Sequence, residues 1–141
     1  MRTWEWKGVV LLLLVGLSWR PALALQEVPP KNWLSDKPIL RSLHKEHTSI
    51  RSRRGLKAST LSQELCRDAQ KHADWMASTG RFEHSDMPYW EVILMGPPTP
   101  AGALQGWMES SAHREILMGG GEIGFGHAVA NGKTYWVGMV R

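Results

Sequence analysis

The sequence predicts one small α+β domain, and three observations carry that prediction. Residues 61–79 place apolar side chains along one stripe at helical spacing, which indicates a long amphipathic helix. Residues 123–137 instead alternate on either side of Asn131-Gly132, the strongest short-range sign of a β-hairpin. A length of 141 residues leaves room for one hydrophobic core.

Residues 1–24 have the form of a cleavable signal peptide. Arg2 and Lys7 precede an apolar run over residues 9–17, which is short for a membrane-spanning helix. Ala22-Leu23-Ala24 has the small-x-small pattern that signal peptidase accepts, so cleavage after residue 24 is predicted. A retained membrane anchor is the alternative. Cleavage removes three basic side chains and one acidic one, and the formal net charge falls from +4 to +2.

Secretion, to the periplasm or to the medium, is therefore the expected localisation, with no stable membrane anchor after cleavage. Cys66 is the only cysteine, so no internal disulfide can form and packing must stabilise the exported domain. Its place in a helical apolar pattern predicts a buried, inert thiol. A nucleic-acid partner is not expected, because the charge is small and the basic cluster at residues 51–54 has no aromatic platform beside it.

Residues 25–38 are predicted to form an exposed lead-in, and the domain itself is expected over residues 39–141. Prolines at positions 29, 30 and 38 interrupt any periodicity in the lead-in. Trp33 lies there and is the best candidate for an exposed contact residue. The remaining tryptophans of the domain are expected in its core, because large aromatic side chains dominate burial in small domains: Trp75, Trp90, Trp107 and Trp136.

The first helix of the domain is expected from residue 39 to the break at Gly55. It contains His44 and His47, which could suggest a zinc-protease motif. That motif needs two histidines one full turn apart with a glutamate beside the first, and here the spacing is three. A solvated helix face is therefore the prediction for these two histidines.

The long helix is expected to begin at a capping box of Thr60 and Gln63 and to end at Gly80. Thr99-Pro100 predicts the start of a third helix, since threonine caps free amides and proline at the first helical position loses no hydrogen bond. A short helical piece over residues 112–118 follows and ends at three consecutive glycines.

The polar connections after the long helix carry the candidate chemistry. His84, Glu91 and His113 are the ligand types of an open zinc site, which keeps a fourth position for water. Sequence spacing alone does not make them converge. No catalytic residues are identified, because the chain has neither a Gly-x-Ser-x-Gly nucleophile motif nor a protease zinc motif.

At these residues the chain resembles the short bacterial branch of the CAP superfamily, named for cysteine-rich secretory, antigen 5 and pathogenesis-related 1 proteins. The resemblance runs from about His47 to the C-terminus. It rests on segments that follow one another in the family's order: His47-Thr48-x-x-Arg51, Ala69-x-x-His72-Ala73, Phe82-x-His84-Ser85, Trp90-Glu91, Trp107-Met108, His113-Arg114 and Ile123-Gly124-x-Gly126.

The resemblance implies a three-layer α-β-α sandwich with a central antiparallel sheet and a cleft that carries histidines and glutamates. By motif, His84, Glu91 and His113 occupy the cleft positions, which implies a site for zinc or another divalent cation. Glu109 could stand in for a second cleft glutamate of eukaryotic members. Val92 stands where the family usually has an asparagine, whose amide could fix the glutamate.

Three functions follow as hypotheses. The first is a secreted binding module whose cleft coordinates a divalent cation, with an unknown extracellular ligand or protein as partner and no enzymatic activity. The second is a metal-assisted hydrolase of peptides or cell-surface polymers, with a cation activating water and Glu91 as base. The third is a protein-interaction domain that uses exposed aromatic side chains such as Trp33.

Overall fold

A computed structural model describes residues 33–141, so the predicted signal peptide and most of the lead-in lie outside the described residues. None of the helices within residues 33–141 has the length and apolar character that crossing a membrane demands. The elements in chain order are a 3₁₀ helix at Trp33–Asp36, α1 Pro38–Arg53, β1 Thr60–Leu61, α2 Gln63–Thr79, β2 Trp90–Met95, α3 Pro100–Glu109, α4 Ser111–Gly119, β3 Glu122–Ala130 and β4 Lys133–Val140.

The predicted helices are confirmed, with one difference at the start of α2. Ser62 caps this helix by accepting a hydrogen bond from the Leu65 N–H, whereas Thr60, the predicted cap, belongs to β1. The helix ends as predicted at Gly80, whose φ of 71° is the left-handed conformation of a C-cap glycine. α3 also begins as predicted, with the side chain of Thr99 as its cap.

The four strands form one sheet in the order β1-β3-β4-β2. β3 and β4 are the predicted hairpin, and Asn131 and Gly132 at its turn have φ values of 51° and 73°, as a type I′ turn requires. β2 pairs antiparallel with β4, whereas the two-residue β1 pairs parallel with β3, so the sheet is mixed. β2 was not predicted, because its consecutive apolar residues 92–94 conceal the strand period.

The predicted α-β-α sandwich is confirmed. α2 covers one face of the sheet, and α1, α3 and α4 cover the other. Alternate side chains of β4 enter the two cores: Tyr135, Val137 and Met139 pack with α2, and Trp136 and Val140 pack with the other helices. The sheet is therefore buried on both faces.

Three side chains differ from the predicted exposure. Trp33 is 8% exposed and belongs to the core beneath α1 and α3, so the predicted exposed contact residue is buried. Trp90, expected in the core, is 71% exposed. His47, expected on a solvated face, is fully buried and hydrogen-bonded to Leu117 and Ser59. Helical or strand periodicity reports which face an element buries only once the neighbouring elements are in place.

Cys66 is buried, as predicted, and its Sγ accepts a hydrogen bond from the Phe125 N–H at 3.3 Å. Burial raises the pKa of the thiol to about 11, so the reactive thiolate is scarce. We expect a thiol reagent at mildly alkaline pH to label Cys66 only as fast as the domain unfolds, measured by mass spectrometry. Ser52→Cys in a Cys66→Ala background places a thiol at an exposed position and should label at once. Equally rapid labelling of native Cys66 would contradict its burial.

Candidate functional site

The loop between α2 and β2 brings His84 to Glu91. His84 Nδ1 lies 2.7 Å from Glu91 Oε1, and Ser85 donates to the same carboxylate through its backbone N–H at 2.9 Å and its hydroxyl at 2.6 Å. The Glu91 side chain is 6% exposed, whereas that of His84 is 59% exposed. Because a carboxylate accepts, the hydrogen of a neutral His84 ring sits on Nδ1 and leaves Nε2 as the free electron-pair donor.

Strand alternation explains how Glu91 reaches this position. Glu91 shares the α2 side of β2 with Ile93, and Val92 points to the opposite face, where it is fully buried in the core. Val92 packs over Gly138, at which a Cβ would lie 2.8 Å from a Val92 methyl group. The valine that replaces the family's asparagine therefore serves the core, and Ser85 and His84 fix the glutamate instead.

His113 approaches from the first turn of α4. Ser110 caps this helix and accepts a hydrogen bond from the His113 N–H. The Nδ1 atom of His113 is buried and has no hydrogen-bond partner among residues 33–141. Burial lowers the pKa of His113 below its ordinary value, and the proximity of His84 lowers it further. The imidazole is therefore neutral at neutral pH.

The predicted three-residue set does not assemble as a ready metal cage. Within the described residues, no three His, Cys, Asp or Glu side chains are grouped so that they could hold a metal ion. Both oxygens of Glu91 are engaged by His84 and Ser85, so the carboxylate orients an imidazole. Glu109 lies exposed at the end of α3, where it accepts a hydrogen bond from Gln105. The structure therefore joins His84 to Glu91 and does not gather the three predicted residues around one cation position.

Two depressions flank this group. The polar one, of about 520 Å³, is lined by His84 and Trp75. The Trp75 ring stacks with His72 and also carries the guanidinium of Arg81 over it. The apolar one, of about 610 Å³, lies between α4 and the start of β2, with Trp90 as one wall. His84 lines the polar depression, whereas His113 lines neither of the two.

Sequence reasoning missed Ser85, although it makes two of the three hydrogen bonds that hold Glu91. The only available signal was its place next to His84 in a polar loop. A serine in a loop is common, and nothing local distinguishes one that faces a buried carboxylate.

Comparison with known proteins gives one family and several related folds. The cysteine-rich secretory protein (CAP) family matches residues 44–140. An outer surface protein of Borrelia burgdorferi is 15% identical, with a TM-score of 0.64 over 71% of this chain and 89% of that one. An extracellular protein of Bacillus anthracis that contains an SCP domain is 21% identical, with a TM-score of 0.58 over 74% of this chain and 41% of that one.

A cysteine-rich secretory protein of Staphylococcus aureus is 18% identical, with a TM-score of 0.56 over 74% of this chain and 39% of that one. The chain thus spans about two fifths of the length of the Bacillus and Staphylococcus proteins. No curated protein matches it in sequence. At these identities the similarity to solved structures establishes the fold alone.

Proposed function

Because the chain belongs to the cysteine-rich secretory protein (CAP) family, we propose that it is an exported binding domain whose His84 and His113 hold a divalent cation such as zinc. The signal-like residues 1–24 support export, as do the extracellular and outer-surface descriptions of the Bacillus and Borrelia proteins with this fold. No enzymatic activity is part of the proposal. One observation is the main support for the cation site: the buried Nδ1 of His113 has no hydrogen-bond partner in the described residues.

The lack of a hydrogen-bond partner at His113 Nδ1 within residues 33–141 supports a ligand at this position. Buried polar atoms are almost always satisfied, and leaving one without a hydrogen bond costs about 1–3 kcal/mol. His113 is neutral at neutral pH because its pKa is lowered, so it can donate its lone pair to a cation without first losing a proton. A second imidazole, His84, is close enough to influence that pKa.

Glu91 supports such a site without belonging to it. Its hydrogen bond to Nδ1 fixes the tautomer and the orientation of the His84 ring, the usual role of a carboxylate behind a metal-binding histidine. Two imidazoles leave coordination positions for water or for an oxygen ligand. A cation held in this way would supply a Lewis-acid contact for a carboxylate, carbonyl or hydroxyl group of an extracellular partner.

No observation favours the hydrolase alternative, in which Glu91 acts as general base. Its two oxygens already accept three hydrogen bonds, and its side chain is almost wholly removed from solvent. Proton abstraction from a bound water would require at least one of those bonds to break. For the protein-interaction alternative, Trp33 is excluded as the contact residue because it is buried, and the exposed Trp90 becomes the candidate.

Calorimetric titration of zinc into the metal-free chain at neutral pH tests the cation site. We expect micromolar binding that weakens at least about tenfold in both His84→Ala and His113→Ala. Glu91→Gln should weaken it by about 10- to 100-fold while leaving both imidazoles in place. Binding should also weaken on acidification, because protons compete with the cation for the ring nitrogens.

Glu109→Gln is the matched control, since it removes an exposed carboxylate that is hydrogen-bonded to Gln105 at the end of α3, and it should leave zinc binding unchanged. Circular dichroism of each variant establishes that the fold is retained. Absence of zinc binding by the intact chain, or unchanged binding in both histidine variants, would refute the proposed site.

A further inference from the structure

β2 lies at the edge of the sheet, and part of its backbone points away from the domain. The Gly96 N–H donates to the Thr134 carbonyl, so even-numbered residues of this strand bond to β4. The N–H and C=O groups of the alternate residues Glu91, Ile93 and Met95 must then face outward. Within residues 33–141, no hydrogen bond joins these groups to another residue.

The other side of the sheet shows how this fold protects such groups. Beyond the short β1, the outward backbone of β3 is met by side chains of α2. The Phe125 N–H donates to Cys66 Sγ, the His127 N–H donates to the side-chain oxygen of Gln70, and the Gln70 amide donates to the His127 carbonyl at 2.7 Å. These bonds occupy positions at which another strand could otherwise pair.

Among residues 33–141, nothing protects β2 in a comparable way. Its sequence contains no proline and no lysine, the residues that commonly discourage pairing at a sheet edge. Its single charged side chain, Glu91, turns inward to His84 and Ser85. Trp90 and Met95, at its two ends, are 71% and 39% exposed. An apolar strand with free backbone groups is suited to pairing with another strand.

We propose that β2 pairs with the same strand of a second copy of this chain, antiparallel and about a two-fold axis at Ile93. Glu91, Ile93 and Met95 then face Met95, Ile93 and Glu91 of the partner subunit and form about six backbone hydrogen bonds with them. The two four-stranded sheets become one continuous sheet. This proposal is independent of the cation site, because it uses backbone groups and the outer side of the strand.

The exposed side chain of Trp90 favours this pairing register and a second copy of the chain as the partner. With Ile93 at the axis, Trp90 lies opposite Gly96 of the partner subunit. Gly96 follows the end of β2 with a φ of 133°, and a Cβ there would meet no atom within 4 Å, so no described side chain lies against this glycine. A cross-strand aromatic over a glycine is a favourable pair, and both copies gain it. Of the helices, α3 and α4 contact β2, and α2 packs mainly on β3 and β4. Within residues 33–141, none of them forms a hydrogen bond to the outward backbone groups of β2.

Sedimentation equilibrium of the full chain, from about 10 µM to about 1 mM, tests the pairing, since a small interface predicts a weak dimer. Met95→Pro removes an outward N–H, whereas the bonds to β4 belong to residues 94 and 96. We expect the dissociation constant of this variant to rise at least about tenfold. Val129→Ser, which changes an exposed apolar residue of β3, should leave dimerisation unchanged.

Two further measurements decide the question if Met95→Pro fails to fold. Trp90→Ala should weaken the dimer and barely affect folding, because the indole is largely exposed. Amide exchange at Glu91, Ile93 and Met95 should slow as protein concentration rises. A monomer over the whole range, or a Trp90→Ala dimer as tight as the wild type, would overturn the proposal. Slow amide exchange at these three residues that does not depend on protein concentration, and that is lost when residues 25–32 are removed, would also overturn the proposal. The edge strand would then be covered by the same chain and not by a second copy.

Discussion

Replacing Gly126 by alanine is expected to lower the free energy of unfolding by about 3 kcal/mol or to prevent folding. A Cβ at this position would lie 2.2 Å from the backbone oxygen of Ala69 and 2.5 Å from the backbone nitrogen of Gln70. Both atoms belong to the interior of α2, which cannot move as the end of a flexible side chain can. The helix would have to move away from the sheet and lose part of its apolar contact. Urea denaturation followed by circular dichroism measures the effect.

Gly119→Ala provides the matched control for this substitution. Gly119 is the last residue of α4, and a Cβ there would meet no atom within 4 Å. Alanine has the higher helix propensity, so the variant should be as stable as the wild type or slightly more stable. If Gly126→Ala proved equally stable, the close contact between α2 and β3 would be wrong.

Acidification from about pH 6.5 to about pH 4 is expected to remove about 3 kcal/mol of stability through His47 alone. Burial is the main cause that lowers the pKa of this imidazole to about 4. The hydrogen bond to Leu117 opposes this shift, and the charges of Arg51 and His44 add to it. Because a carbonyl only accepts, Nε2 carries the hydrogen, and Nδ1 accepts from the Ser59 hydroxyl. Protonation of Nδ1 would break its hydrogen bond from the Ser59 hydroxyl.

The sign of this pH effect on stability depends on whether the folded or the unfolded state binds more protons. Below pH 6.5 the unfolded chain protonates His47 and the folded domain does not, so its contribution is complete above that pH and declines towards pH 4. His47→Gln removes the titration while keeping a side-chain donor for Leu117. We expect the difference in unfolding free energy between wild type and variant to shrink as the pH falls, measured by urea titrations at several pH values. A constant difference would contradict a neutral buried His47.

Local signals in the sequence were sufficient for most of the elements. Gly80 ends α2 because it reaches the left-handed conformation without steric penalty, and Asn131-Gly132 closes the hairpin for the same reason. The position of Cys66 within a helical apolar pattern also predicted its burial. These features depend on backbone dihedral angles and on periodicity within one segment, which a sequence displays directly.

The candidate site was only partly predictable. The sequence supplied the residue types His84, Glu91 and His113, and the family motif supplied their order. It gave no indication that Ser85 and His84 occupy both oxygens of Glu91, so that the carboxylate positions an imidazole. The His113 Nδ1, which has no hydrogen-bond partner in the described part of the chain, likewise becomes apparent only when the surroundings of α4 are complete.

The sequence by itself thus determined one α+β domain, its helices, its terminal hairpin and the residue types of its cleft. Tertiary structure alone decided that Trp33 is buried, that Trp90 is exposed, and that residues 90–95 form an edge strand. It also joined His47 to a carbonyl 70 residues further along the chain. The physical reason is that dihedral preferences act between neighbours in sequence, whereas hydrophobic burial has no direction and depends on which distant faces meet.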